Sequence, residues 1–298
     1  MRKFYSFIIL QFVLSSLFSQ ESSQNYVLTR TFLNESGTKY IDNIQYFDGL
    51  GRPTQTVQKG VTPNRSNLVT LQEYDGFGRA TKSWLPHVST SSYLDPVSFK
   101  SVVPGTYNGD SRPYDETVYE DSPLNRVVKQ YGPGASWGTH PVSTSYLTND
   151  DSKELVCKYY YVTSTDSLAQ DKVYPARELY VAKSTDEDGN VSYLFTDKLG
   201  RQLLSRQMSN ATPYDTYYVY DDFDNLRFVL PPGYQDTDSL SLFAYQYKYD
   251  EYGRCIEKTL PGCEVVKYVY DKADNLIFSQ DGVQRKKGEW TFYLYDLF

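Results

Sequence analysis

"YKYDEYGR", Tyr247 to Arg254, is the stretch on which the reading of this chain turns. Three tyrosines surround an aspartate, and Gly-Arg closes the segment, residue types that would serve an active site or a structural motif equally well. Recurrence separates the two, because a catalytic constellation is unique in a chain whereas a supersecondary unit repeats. The pattern recurs as "YFDGLGR" at Asp48, "EYDGFGR" at Asp75, "FTDKLGR" at Asp197, "YVYDDFDNLR" at Asp221 and "YVYDKADNL" at Asp271, with a looser "VYEDSPLNR" around Asp121. In the C-terminal half these aspartates follow one another at intervals of 21 to 29 residues. That is the size of one small repeating unit, not of a domain.

The unit explains itself residue by residue. Tyr245, Tyr247 and Tyr249 alternate with Gln246 and Lys248, a period of two that sets the aromatics on one face of a strand. Tyr and Val, both strand-favouring, hold the same positions in "YYVY" and "KYVY", which place Tyr220 and Tyr270 directly before Asp221 and Asp271. The aspartate ends the strand: its side chain accepts a backbone N–H two residues on, and a Gly or Asn three or four positions later takes the positive φ of a tight reversal. Asp48, Asp75, Asp197 and Asp250 are therefore read as turn residues with Gly51, Gly78, Gly200 and Gly253. Arg52, Arg79, Arg201 and Arg254 open the returning strands, where a guanidinium pairs with the turn carboxylate or stacks on a tyrosine. Gly and Pro-Gly breaks such as Pro231-Pro232-Gly233 and Pro261-Gly262 end those strands. Each unit is a hairpin. A lone hairpin is barely stable in water, so the hairpins are expected to pair edge to edge in an all-β array of antiparallel repeats, with helical periodicity weak throughout.

These residues carry a resemblance. The Tyr-Asp followed by Gly-Arg is similar to the motif of the YD-repeat, or Rhs-repeat, family of bacterial extracellular and toxin-delivery proteins. Residues Asn25 to Tyr161 also resemble the N-terminal domain of unknown function that precedes the repeats in secreted Gram-negative members, on "YFDGLGRPTQTV", "SWLP" and "SPLNRVVKQYGPGASW"; "TDEDGNVSYLFTDKLGR" extends the likeness. The resemblance implies a curved or spiralling sheet of hairpins forming a partial shell, which in longer relatives encloses a C-terminal toxin. Two departures stand out. No self-cleaving core region and no variable cargo domain follows, and "YLYDLF" carries Tyr295 and Asp296 without a Gly-Arg, which reads as the N-terminal piece of something longer.

Composition bounds the rest. With 40% hydrophobic and 16% aromatic residues the chain can bury a core. Its 30 basic residues are scattered against 37 acidic ones, for a net charge of -7, so no stripe exists to neutralise phosphates and nucleic acid is not an expected partner. Arg2 and Lys3 ahead of "FYSFIILQFVLSSLF" and Ser19 read as a secretory signal over residues 1–19, cut before Gln20. The apolar run is too short for a spanning helix, so no transmembrane segment is expected after cleavage. Beyond it, residues 20–184 read as an N-terminal β domain with irregular repeats, broken by a loop-rich insertion over Ser89–Ser111, and residues 185–298 as the regular array. Cys157, Cys255 and Cys263 are too few for a disulfide framework. A Cys255–Cys263 bridge fits a hairpin, although two small buried thiols are the simpler reading.

No enzyme, cofactor or metal is expected. Turn aspartates repeated copy after copy do not make the unique carboxylate pair of a glycosidase. His87 and His140 lie far apart in Pro-rich contexts. "STDEDGN" and "DDFDN" carry oxygen ligands at alternate positions but lack the spacing and closing Glu of a calcium loop, and read as hairpin turns. The functional expectation is a non-enzymatic secreted or cell-surface scaffold or interaction protein. Its expected partners are downstream repeat or cargo segments of a longer product, or cell-surface glycans or proteins. The alternative is an extracellular carbohydrate-binding adhesin using tyrosine-rich strand faces, with Tyr245, Tyr247 and Tyr249 as the stacking residues.

Overall fold

The structure, a computed structural model, describes residues 24–296. The expected signal segment, residues 1–19, lies outside them. The chain divides into two compact units at Val142/Ser143. In the first, β1 (Asn25–Phe32), β2 (Tyr40–Phe47), β3 (Pro53–Lys59), β4 (Asn67–Tyr74), β5 (Ala80–Ser89), β6 (Tyr114–Tyr119) and β7 (Val127–Tyr131) pair in sequence order as an antiparallel meander. A helix, α1 (Pro96–Thr106), interrupts the run between β5 and β6.

In the second unit, β8 (Val142–Thr148) pairs with β11 (Tyr180–Thr185). The stretch between them forms a separate hairpin of β9 (Lys158–Val162) and β10 (Leu168–Val173). The ladder then runs through β12 (Val191–Thr196), β13 (Gln202–Ser209), β14 (Thr212–Tyr220), β15 (Leu226–Leu230), β16 (Tyr245–Tyr249), β17 (Cys255–Thr259), β18 (Val266–Tyr270), β19 (Leu276–Gln280) and β20 (Thr291–Phe292), every pair antiparallel. Short helices α2 (Pro232–Thr237) and α3 (Leu240–Phe243) join β15 to β16, and α4 (Gly282–Lys287) joins β19 to β20. Thr185, where the sequence begins the regular array, is the last residue of β11, whose partner β12 lies beyond it.

Period-two alternation builds both cores. Ile44, Val57 and Val69 are register partners across β2, β3 and β4, and all three are buried. A second row runs Tyr46, Gln55, Leu71, Trp84 and Tyr114. Phe195, Leu204, Tyr217 and Leu230 form the corresponding row in the second unit. Cross-strand rows of this kind are the element from which sheet stability is assembled.

The segment Ser89–Ser111 is not wholly loop. It contains α1, which lays Phe99 and Val103, both fully buried, over the core face of the first unit. Asp95 caps the helix by accepting from the N–H groups of Val97 and Ser98, and Pro96 occupies its first turn. The incoming loop is fastened by buried Gln55, whose amide donates to the Leu94 carbonyl at 2.7 Å and accepts from the Leu94 N–H at 2.9 Å. In the second unit Asn149 does the same work, donating to the Tyr174 and Pro175 carbonyls and accepting from Leu179. The thiols are free: Cys157 is buried and Cys255 half-buried, but Cys263 is exposed at the β17–β18 connection rather than packed away.

Candidate functional site

Asp48, Asp75, Asp197 and Asp250 each sit at the tip of a hairpin, in one geometry. In the Asp250 turn, the Asp250 N–H donates to the Arg254 carbonyl and the Gly253 N–H to the Asp250 carbonyl, both at 3.0 Å. The carboxylate is fully engaged as well. Oδ1 accepts from the N–H groups of Tyr252 and Arg254 at 3.0 and 2.9 Å, and Oδ2 accepts from Arg254 Nε at 2.8 Å. The same bonds recur for Asp48 with Arg52, Asp75 with Arg79 and Asp197 with Arg201. A type I turn is followed by a residue at positive φ, such as Gly78 at 83°, and by a one-residue register shift in the strand pairing. This is the three-residue hairpin loop with its bulge.

Asp221 and Asp271 use a variant in which the positive φ falls on Asp224 (63°) and Asp274 (64°), not on the asparagines that follow. Asn225 and Asn275 take the arginine's place instead, donating their amides to Oδ2 of the turn aspartate. Aspartate tolerates this backbone region better than most residues because its short polar side chain bonds locally. Three turns went unrecognised in the sequence as copies. Asp186 accepts from the N–H groups of Asp188 and Asn190 and from the Asn190 side-chain amide, so its own two oxygens serve the turn of "STDEDGN". Thr62 and Thr163 substitute a hydroxyl, accepting from the N–H groups of Ser66 and Ser167. In "VYEDSPLNR" the turn acid is Glu120, not Asp121: its carboxylate takes Arg126 Nε and Nη2 at 2.8 and 2.7 Å. A signal for these was present, since each follows a strand-like run and precedes a residue able to donate four to six positions later.

Neighbouring hairpins are stitched by the same side chains. In five copies the tyrosine before the turn acid donates its hydroxyl to a carbonyl just past the preceding turn: Tyr74 to Pro53, Tyr119 to Ala80, Tyr249 to Leu226, Tyr270 to Cys255 and Tyr295 to Leu276, at 2.7 to 3.0 Å. The arginine of the preceding turn lies over that ring, Arg52 over Tyr74 at 4.6 Å, Arg79 over Tyr119 at 4.7 Å and Arg254 over Tyr270 at 5.2 Å. It also reaches the positive-φ residue of the next turn. Arg201 meets Asp224 at 2.6 Å, Arg254 meets Asp274 at 2.7 Å, and Arg79 approaches Asn125 at 3.4 Å.

Electrostatics follow from these bonds. The backbone N–H and guanidinium of Arg52 hold Asp48 below the usual carboxylate range. The Asn275 side chain and backbone do so for Asp271, and the Arg126 guanidinium, with the Ser122 hydroxyl, brings Glu120 down to about 2. Hydrogen bonds to the ionised form favour it. Tyr245, Tyr247 and Tyr249 share β16, but the Tyr249 hydroxyl is committed to Leu226 and Lys258 lies 5.9 Å from the centre of the Tyr247 ring. His87 bonds Thr106 and His140 lies beside Trp137, and among the described residues no three His, Cys, Asp or Glu side chains gather where they could hold a metal.

Residues 20–148 match the model of a domain of unknown function, DUF6443. In structure the chain is similar to TcdB2-TccC3-TEV, with a TM-score of 0.56 and 13% identity over 90% of this chain and 13% of that one. It is likewise similar to TcdB2-TccC3, with a TM-score of 0.56 and 14% identity over 86% of this chain and 12% of that one. TcdB2-TccC3 without its hypervariable C-terminal region aligns with a TM-score of 0.51 and 13% identity over 86% of this chain and 12% of that one. The chain thus spans about an eighth of the length of the structures it matches, and at these identities the likeness is one of fold. No curated protein matches it in sequence.

Proposed function

We propose that this chain is a non-enzymatic structural and interaction scaffold built on the YD-repeat plan, forming a stretch of wall similar to that of an Rhs-type shell. The observation that carries the reading is the engagement of the turn carboxylates. Both oxygens of each turn carboxylate accept N–H donors of their own hairpin, as at Asp250, and the arginines and tyrosines fasten one hairpin to the next. A general acid or nucleophile needs a carboxylate oxygen facing substrate, and hydrogen bonds within the hairpin to both oxygens support a structural role instead. The fold likeness to TcdB2-TccC3 supports a shell-like role, with downstream repeat or cargo segments of a longer product as the partners. The apolar N-terminal run supports export with cleavage before Gln20, to the cell surface, the periplasm or the medium. No helix of the described residues is long and apolar enough to cross a membrane.

Equivalence of the copies is the test. Asp197→Asn, Asp250→Asn and Asp271→Asn, compared by hydrogen exchange, are expected each to loosen its own hairpin and the adjoining one. A glycosidase panel should give no turnover with the parent chain. Turnover abolished by one of the three variants alone would identify a catalytic carboxylate and end the scaffold reading. N-terminal sequencing of the product from intact cells tests export, and a start at Met1 would refute the cut.

A further inference from the structure

We propose that the cleft between the β9–β10 hairpin and the strands beneath it, β14 and β15 among them, binds a neutral oligosaccharide. Its volume is about 640 Å³, inside the range of roughly 300–1,000 Å³ typical of small-ligand sites. Tyr159, Tyr161, Tyr218 and Tyr220 line it, with exposed Leu199 and Phe223 also on its walls. Aromatic rings beside polar groups suit a ligand with apolar C–H faces and a hydroxyl rim.

An anomaly in the repeat points the same way. Tyr220 holds the motif position at which Tyr74, Tyr119, Tyr249 and Tyr270 each donate to a backbone carbonyl. The Tyr220 hydroxyl forms no hydrogen bond to another described residue, and neither do those of Tyr159 and Tyr218, while Arg201 still lies 5.5 Å from the Tyr220 ring. Three half-buried phenols with unused hydroxyls therefore meet in one cleft.

The charges select the ligand class. Arg201 is bound by Asp197 and Asp224 at 2.6 Å each. Arg227 pairs with Asp166, lies 3.6 Å from Asp221 and donates to the Tyr247 carbonyl. Neither guanidinium is open to a phosphate or a sugar acid, whereas the exposed carboxylates of Asp166 and Asp224 can accept further hydroxyl donors. Such a lining favours an uncharged polyol over an anion. The inference goes beyond the scaffold reading and does not rest on it, since a wall segment with or without a sugar site is still a wall segment.

The test uses the full chain and a panel of cellotriose, xylotriose, maltotriose and triacetylchitotriose, with trigalacturonate and inorganic phosphate as anionic probes, followed by saturation-transfer NMR and calorimetric titration. At least one neutral trisaccharide should bind with a dissociation constant of about 1 mM or tighter. Tyr218→Phe with Tyr220→Phe, which removes two hydroxyls and keeps both rings, should weaken it about tenfold without lowering the melting temperature. Tyr249→Phe should leave affinity unchanged. Failure of all four neutral sugars, preference for either anion, or undiminished affinity in the doubly substituted chain would overturn the proposal. None of these outcomes bears on the equivalence of the copies.

Discussion

Tyr249→Phe isolates one stitch between hairpins. The substitution keeps the ring and deletes an oxygen that lies 3.0 Å from the Leu226 carbonyl in a partly buried setting. A neutral hydrogen bond of this kind contributes about 1 kcal/mol, within a range of roughly 0.5–1.5 kcal/mol. For a folding unit of this size that corresponds to a fall in Tm of about 2–4 °C, or about 0.5 M in the urea midpoint at a typical slope. Tyr270→Phe removes the same bond to Cys255, again 3.0 Å long. Tyr249 faces Cys255 across the β16–β17 ladder, so the two stitches adjoin, and the departure of the double variant from the sum of about 2 kcal/mol measures their coupling. Tyr220→Phe is the internal control, because its hydroxyl bonds to no described residue, and its midpoint should stay within about 0.3 kcal/mol of the parent. Urea unfolding followed by far-ultraviolet circular dichroism measures all four chains. A Tyr249→Phe midpoint indistinguishable from the parent, or a Tyr220→Phe loss as large, would refute the stitching.

Other substitutions probe different terms. Arg206, only 3% exposed, grips Asp215 through two bonds of 2.7 Å; Asp215→Ala strands that charge and should cost about 3–5 kcal/mol, and a loss under 1 kcal/mol in denaturant titration would show the pair to be dispensable. Gly78→Ala places a Cβ at a φ of 83° and should cost about 1–2 kcal/mol. Gly78→Asp should cost less, because its Cβ arises 3.0 Å from Arg52 Nη1 and a carboxylate on it is within reach of that guanidinium, as Asp224 is for Arg201; equal losses by thermal melting would sink the relay. Acid should act through the turns. Glu120, held at about 2 chiefly by Arg126, and Asp48 and Asp271, held below the usual range, favour the folded state only while ionised. Their contribution is complete above the unfolded values near pH 4 and is lost as pH falls toward 2, so Tm should be flat near neutrality and drop below about pH 4; a Tm unchanged at pH 3 would contradict this.

The hairpins were legible because one residue pattern encodes them locally. An aspartate at a strand end and a donor four residues later are sufficient to close a turn without distant help, and Asp48, Asp75, Asp197 and Asp250 close it that way. The positive-φ position was read less well at Asp221 and Asp271, since Asn is the commoner tenant in general, yet here Asn225 and Asn275 are engaged as amide donors. Helix α1 was hidden for a different reason. "PVSFKSVVPGT" has Pro, Gly and β-branched residues that disfavour a helix, and what holds it is burial of Phe99 and Val103 against strands far away in sequence. The same non-locality conceals the tyrosine-lined cleft, which exists only because the β9–β10 hairpin folds back over residues some 60 positions later.

The Tyr249 and Tyr270 hydroxyls both point back to a hairpin made earlier in the chain. A polypeptide emerging from the ribosome N-terminus first therefore always has its docking platform already built. The Asp250 turn snaps shut on its own carboxylate and then clips to a surface that has preceded it, so the hairpins of β16–β19 need no later sequence to gain a hold. Assembly of this kind is vectorial, a ratchet whose teeth engage in order of synthesis, and it keeps nascent sheet edges exposed only for the time taken to make the next two strands.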